Sequence, residues 1–444
     1  MLAEDLRVQS RPGHLGLPPP STLSGMRLER HDPYLTTFTA KVVEQRNDAA
    51  GTWLRLDRSA FYPTSGGQPH DTGALHWGPS TTRIGAVETE AGAVWHLAAG
   101  ADTATEGRAA TEVPEVGTDV EGHIDWPRRF THMQRHSGQH LLSQAFVRVG
   151  ERSGREFATR SVSLRRANCT LDVAGEPDDA SLAAIEEEAD AAARRALPVV
   201  AFEVDDSKLG NYRLRRPAKV SGLVRLVAIG DYDLVACGGT HVRSSAELLP
   251  LKLLGRERVK GGLTRVTFRV GAEALSDLAA KHRVTAGLSA LLSAPVEALP
   301  PRVEGLLGQL ATAEQALTAT RAALASNLAS SLLAGGTAAA SPATRVVSRL
   351  LDASDAALYE PLIDILQAAA GHVSLLACGA ADGSVRFAFL SGPGVEVDVR
   401  PALQAALQVV GGKGGGRPDR AQGAGPDGRE AHRALEVASQ LLNH

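Results

Sequence analysis

Two short pairs of residues, His136-Ser-Gly-Gln-His140 and Cys237-Gly-Gly-Thr-His241, constrain this chain more than any other feature. Positions four apart on a helix share one face with a rise of about 6 Å, so both imidazoles of the first pair reach one point. The flanking residues predict that helix. Asp125 is an N-cap, Pro127 falls in the first turn where its missing N–H costs little, and Phe130, Met133, Leu141 and Ala145 form an apolar stripe, leaving the metal side on the other stripe. Cys237 follows the apolar run Leu223 to Ile229 and the turn Gly230-Asp-Tyr-Asp233, which places it at a strand end. Gly238 and Gly239 then allow a sharp turn that returns His241 to the thiol. Three imidazoles and one thiolate form a complete tetrahedral set for zinc, one Zn2+ per chain, and the fold must bring the distant pairs together. His132, one turn before His136, is read as facing the metal's outer sphere or a substrate, against an ordinary exposed histidine.

The chain has 444 residues, enough for about three domains with cores of their own. A net charge of −3 argues against a chain that coats nucleic acid nonspecifically, while local basic stripes remain available. Three cysteines, Cys169, Cys237 and Cys378, offer no disulfide framework, and a reducing cytoplasm is expected. No apolar run approaches the ~18 residues needed to span a bilayer, so no membrane partner is expected. Residues 1–26 read as a disordered leader or an over-called start, without a secretory h-region.

The expected fold class is α+β and multidomain. From 27 to 116, short alternating runs such as Phe38 to Val43 and Trp53 to Leu56, broken by Gly, Pro and Asn-Asp turns, predict an N-terminal β-barrel. Residues 117–271 combine the ligand helix, a polar helix near Ser181 to Ala196 and strands including Leu263 to Val270, an α+β core that carries the zinc. Residues 272–334 form a long helical segment interrupted at Pro295 and Pro300-Pro301. There Val303, Leu310, Leu317 and Leu324 recur every seven positions, as a coiled coil or as one packed face within a monomer. After a Gly/Ala linker, 335–444 reads as a small α/β domain rich in glycine.

Three further motifs bear on function. Gly66, Gly67 and Gln68 form a glycine-rich bend in the first domain, where a plain barrel corner is the simpler reading and an approach to a ribose or oxyanion the functional one. Around Gly411 to Gly425, Lys413, Arg417 and Arg420 sit among glycines with no Ser or Thr after the lysine. That excludes a nucleotide P-loop and predicts a flexible basic nest for phosphates, against a mobile low-complexity loop. Arg215 and Arg216, upstream of the second ligand pair, read as a polyanion path to the metal or as a solvated edge.

Taken together, Phe61-Tyr-Pro, Gly66-Gly-Gln-Pro, His132-Met-Gln-Arg-His-Ser-Gly-Gln-His140, Cys237-Gly-Gly-Thr-His241 and Gly414-Gly-Gly-Arg-Pro-Asp-Arg-Ala-Gln-Gly423 resemble the free-standing alanyl-tRNA editing proteins of the long form. These are relatives of the editing and C-terminal domains of alanyl-tRNA synthetase, and the likeness runs in order over residues 27 to 440. The resemblance implies that His136, His140, Cys237 and His241 hold zinc in a hydrolase that deacylates serine, and glycine, from alanine tRNA. It implies no ATP requirement and no charging of tRNA, since no aminoacylation sequence precedes residue 27. Threonyl-tRNA synthetases share both ligand pairs, so editing of threonine tRNA is an alternative, as is a zinc-stabilised tRNA-binding module without hydrolysis; the glycine-rich C-terminal motif favours alanine. Ser163-Leu-Arg-Arg166 stands where relatives often carry His-Leu-Gly.

A pocket shaped for alanine excludes glycine and serine poorly, so a second site must recognise what the first admits. Gln68, Thr64 and Thr72 are the candidates for binding the serine hydroxyl. Either one ligand, such as His241, is loose and the zinc is catalytic, or the zinc positions the terminal adenosine. A homodimer through the helical segment or the C-terminal domain is the alternative to a monomer.

Overall fold

The computed structural model describes residues 26–99, 112–338 and 344–443. The expected leader lies outside the described residues except for Met26, which pairs with Arg58 in a two-stranded bridge. The chain divides into two compact units, Met1–Thr285 and Ala286–His444.

The first unit begins with a closed six-stranded barrel. Its strands are β1 (Thr37–Asp48), β2 (Gly51–Leu56), β3 (Gly73–Trp77), β4 (Ser80–Glu90), β5 (Ala93–Ala99) and β6 (Asp119–Ile124), in spatial order β1-β2-β5-β4-β3-β6. Alternation sets the interior. Phe38, Ala40 and Val42 point inward from β1 and join Leu54, Phe61, Leu75 and Val87 in one core. The closing strand lies beyond residue 116, where the sequence placed the end of this domain. β6 belongs to the barrel because it hydrogen-bonds β1 and β3 together, with Thr37 opposite His123 and Gly73 opposite Ile124. Gly122 leaves space there for the Phe38 ring, since a Cβ would sit 2.3 Å from Phe38 Cε1.

The 28-residue helix α1 (Trp126–Ser153) follows at once. Asp125 caps it by accepting from the Arg128 amide at 3.3 Å, Pro127 lies in its first turn, and Gly154 ends it in the left-handed region at φ 66°. Met133, Leu141 and Ala145 are fully buried, as their spacing predicts. The opposite stripe, with His136, Ser137 and His140, is buried too.

Two sheets and a second helix complete the unit. β7 (Thr159–Ser163), β8 (Cys169–Ala174), β12 (Leu251–Val259) and β13 (Leu263–Val270) form a sheet ordered β12-β13-β8-β7; β9 (Val199–Asp205), β10 (Leu223–Ile229) and β11 (Asp233–Ala236) form a three-stranded antiparallel sheet. α2 (Asp179–Arg194) buries Ile185, Ala189 and Ala193 in the core shared with α1, β8 and β13. α3 (Gly271–Leu292) leads out of the unit.

In the second unit, α4 (Leu299–Ala334) begins at the prolines expected to interrupt a helix: Pro300 and Pro301 occupy its first turn, where no N–H is needed. Its last turns bury Ala325 and Ala329 against α5 (Tyr359–Gln367), whereas Val303, Leu310, Leu317 and Leu324 are all exposed. That heptad stripe is thus not a packed face of the monomer. The remaining chain forms a sheet of β14 (Arg345–Leu351), β15 (His372–Gly379), β16 (Val385–Ser391), β17 (Lys413–Arg417) and β18 (Arg420–Gly425), with helices α6 (Arg400–Val409) and α7 (Ala431–Asn443). Period-two alternation divides its apolar residues. Leu375 and Ala377 pack with α6 and α7, while Leu376 and Cys378 pack with α4 and α5.

No described helix is long and apolar enough to cross a membrane.

Candidate metal centre

The two pairs meet. One donor atom from each of His136, His140, Cys237 and His241 lies within 4.8 Å of every other. Cys237 Sγ is 3.2 Å from His136 Nε2 and 3.3 Å from His241 Nε2. A tetrahedron with Zn–N of about 2.0 Å and Zn–S of about 2.3 Å has ligand–ligand edges of about 3.3–3.6 Å, so the set fits one such ion after small adjustments. Burial opposes ionisation of the Cys237 thiol, but the three imidazoles outweigh it and hold the thiol well below its usual range. His241, fully enclosed, is pushed by burial down to about 3 and is a neutral donor.

Each imidazole is also approached from behind. Gln68 Oε1 accepts from His136 Nδ1 at 2.8 Å, Ser137 Oγ lies 3.0 Å from His241 Nδ1, and Asp233 Oδ2 approaches His140 Nδ1 at 3.6 Å. The Gln68 and Ser137 contacts at Nδ1 leave Nε2 of His136 and His241 facing the Cys237 sulfur, and the Asp233 carboxylate stands behind His140. Asp233 is buried and is paired with Arg215 at 2.8 Å, and this guanidinium with the His140 ring lowers its carboxyl against the effect of burial.

Cys237 lies directly after β11, as expected. Gly239 serves a different purpose from the one assigned: its φ is ordinary, and a Cβ there would sit 2.1 Å from His136 Cε1. The glycine lets the loop close on the ring, while a Cβ on Gly238 would meet open space. Arg225 holds the loop by donating from Nη1 to the carbonyls of Cys237 and Gly239, at 2.9 and 3.0 Å.

Several expected substrate or RNA contacts lie elsewhere. Gly66 and Gly67, at φ 56° and 86°, make a two-residue turn between the paired Ser65 and Gln68, so the barrel corner is their local role. Gln68 is fully buried, and its amide is spent on protein: Nε2 donates to Thr240 Oγ1 at 2.7 Å, and Oε1 also accepts from the Thr240 amide. The Thr72 hydroxyl donates to Asp125 at 3.1 Å. Arg215 is withdrawn from any polyanion by Asp233, whereas Arg216 is exposed. Lys413 and Arg417 are exposed, and Arg420 is half-buried, on a β-hairpin rather than a flexible nest. Its glycines are steric: a Cβ at Gly414 would lie 2.4 Å from Gln422 O, and one at Gly425 2.2 Å from Val410 Cγ2.

Thr64 and His132 do share a cleft, of about 770 Å³, with His70, Arg128, Arg135 and Arg165. His132 is 5 % exposed, neither ring nitrogen has a partner, and burial together with Arg128 and Arg135 pushes it down to about 3. Ser163 ends β7, and in the departing segment Leu164 is buried and accepts from Arg135 Nη1 at 3.1 Å, so Arg165 is presented to the cleft. Sequence reasoning missed Asp233, Ser137 and Arg225. It also missed Arg129, wholly buried, which donates to Asp71 across the barrel seam at 2.8 Å and to Pro33 O. Ser137 and Asp233 were visible as polar neighbours of the ligands, one beside His136 and one four residues before Cys237.

The His/Cys cluster and the segments around it match models of synthetase-associated domains. Residues 224–267, holding Cys237 and His241, match the threonyl and alanyl tRNA synthetase second additional domain. Residues 32–128 match tRNA synthetases class II (A), over the segment that forms the barrel, and 346–444 match the DHHA1 domain. The alanyl-tRNA editing protein AlaX-L of Pyrococcus horikoshii is 27 % identical over 399 residues, covering 89 % of this chain and 94 % of that protein. Alanine–tRNA ligases of Pyrococcus abyssi and Frankia casuarinae are 28 % and 32 % identical, over 93 % and 83 % of this chain. The chain spans less than half the length of these ligases, 43 % and 41 %. The chain is thus similar to an alanyl-tRNA editing protein over nearly the whole of that protein, and to the ligases over less than half of theirs.

Proposed function

We propose that this chain is an aminoacyl-tRNA deacylase that clears serine, and glycine, from alanine tRNA. The observation that carries the reading is the convergence of His136, His140, Cys237 and His241 beside a cleft lined by arginines, in a chain matching AlaX-L over nearly all of that protein.

Zinc bound by these four residues would supply a positive centre for anchoring the acylated 3′ end and polarising nearby groups. The ligand shell itself is closed, the arrangement of positioning sites more than of open catalytic ones. Ser137 braces His241, which speaks against that ligand being the loose one. We therefore assign the ligand set a positioning role and leave the attack on the ester carbonyl to water admitted through the cleft. Among the three candidates for the serine hydroxyl, Gln68 and Thr72 have their polar atoms engaged inside the protein. The Thr64 hydroxyl also has a partner, His70 Nδ1 at 3.0 Å, but of the three only Thr64 lines the cleft, and it is the group we assign to serine. Alanine would leave such a partner unsatisfied, a discrimination on the order of 10⁴-fold at best.

The closed shell also favours a second reading, a zinc-stabilised tRNA-binding module without hydrolysis. Incubation with Ser-, Gly- and Ala-tRNA made on one alanine tRNA separates the two. Selective loss of serine and glycine supports the deacylase, and stoichiometric zinc with tRNA binding but no turnover supports the module. Cys237→Ala is expected to abolish deacylation; undiminished turnover by that variant, prepared without zinc, overturns the assignment of the centre.

A further inference from the structure

We propose that the outer face of the barrel carries a second divalent-metal site, built from His76 on β3 and from Glu121 and His123 on β6, which takes a transition-metal ion such as Zn2+. The inference goes beyond the editing reaction and does not depend on it.

Strand register puts the three donors together. In the antiparallel pair of β3 and β6, His76 lies opposite Glu121 and Ala74 opposite His123. Side chains alternate along a strand, so His76, Glu121 and His123 share the face turned away from the core, while Leu75 and Val120 on the same strands point into it. None of the three lines the arginine cleft.

Their spacing is that of ligands. The two imidazoles meet edge to face with centroids 4.5 Å apart. The three imidazoles of the first centre stand 4.5, 4.8 and 5.1 Å apart. Glu121 Oε1 is 3.1 Å from His123 Nε2, close to the ~3.3 Å edge between two donors on one zinc ion. Thr81 Oγ1 lies 2.8 Å from His76 Nδ1; by accepting there it leaves Nε2 with the free lone pair, as Ser137 does for His241. A His–Glu contact or a Thr–His hydrogen bond alone would be an ordinary cross-strand pair. A second imidazole at ligand separation is what such a pair lacks.

The donor set defines the class of ion. Two imidazoles and one carboxylate suit Zn2+, Ni2+ or Cu2+ rather than Mg2+ or Ca2+, which take oxygen ligands. Among the described residues only the first centre has three or more donors already converged, so binding here requires the Glu121 carboxylate to swing toward both rings, a motion its 54 % exposed side chain permits. Water completes the coordination, and the ion is exchangeable where one in a closed four-ligand shell is not. Arg83 shares this outer face, opposite Ala74, and the Glu121 carboxylate offsets its charge.

The test uses the full chain with one zinc in the first centre, dialysed against rising free Zn2+ with the bound metal counted. Wild-type protein should reach two ions per chain in two phases, the second weaker. Combining His76→Ala with His123→Ala should stop uptake at one ion and leave the first phase unmoved, which also reports that the variant is folded. Glu121→Gln, at an exposed position, should weaken the second ion roughly ten-fold. The chain has 14 histidines, and an ion held by the others would persist in the double variant. The proposal is overturned if wild-type protein saturates at one ion, if the double variant still takes up a second, or if Glu121→Gln leaves the second phase where it was.

Discussion

Gly239 makes the sharpest demand of any single residue. Because a Cβ there would overlap the His136 ring, Gly239→Ala must displace a ligand. We expect purified protein with less than half the wild-type zinc, by elemental analysis, and full occupancy would show that the loop tolerates the methyl group. Asp233→Asn probes the layer behind the ligands. Loss of the carboxylate facing His140 should weaken metal affinity by 10–100-fold in chelator competition, a range ordinary for such partners. The convergence of His136, His140, Cys237 and His241 was legible in the sequence because residue type and spacing together are rare. Their supports were not: Gln68 was obscured by its glycine turn and Arg215 by its basic neighbours, since a one-dimensional pattern shows which groups are polar but not where each spends its hydrogen bonds.

Among the elements, α1 joins the barrel to the rest of the first unit, and its clamp is the Arg129–Asp71 pair, both side chains wholly buried. Arg129→Met would strand the carboxylate, at a cost of about 3–5 kcal/mol, read as a lower denaturant midpoint. The barrel carries its own pH dependence. His96 lies between Ser59 and the Leu54 carbonyl, and burial pushes it down to about 4. A histidine depressed on folding contributes fully above its unfolded value near 6.5, and stability falls as pH drops from there toward 4. The loss should approach about 3 kcal/mol, and His96→Gln should flatten the profile across that window even if it is less stable throughout. The barrel was readable from alternation, but its last strand was not assigned to it: Val120 and Ile124 alternate correctly, and only pairing to two distant strands reveals their membership.

For the whole molecule, affinity for a large polyanion should be a sum of separate patches, because the net charge of −3 gives no global attraction. Exposed Lys413 and Arg417 lie on the glycine hairpin of the second unit. Replacing both with alanine should reduce the salt slope of tRNA binding by about two, with zinc content and the hydrolysis step at saturating tRNA unchanged. An unaltered slope would remove the hairpin from the RNA footprint.

Gln68 reaches from the barrel to touch His136 of one ligand pair and Thr240 of the other. Three stretches of chain, remote from one another along the backbone, must therefore be in register before the coordination shell has its final shape. Ion uptake on this account marks the end of assembly, so a chelator should leave early refolding undisturbed and arrest only the last, affinity-setting step.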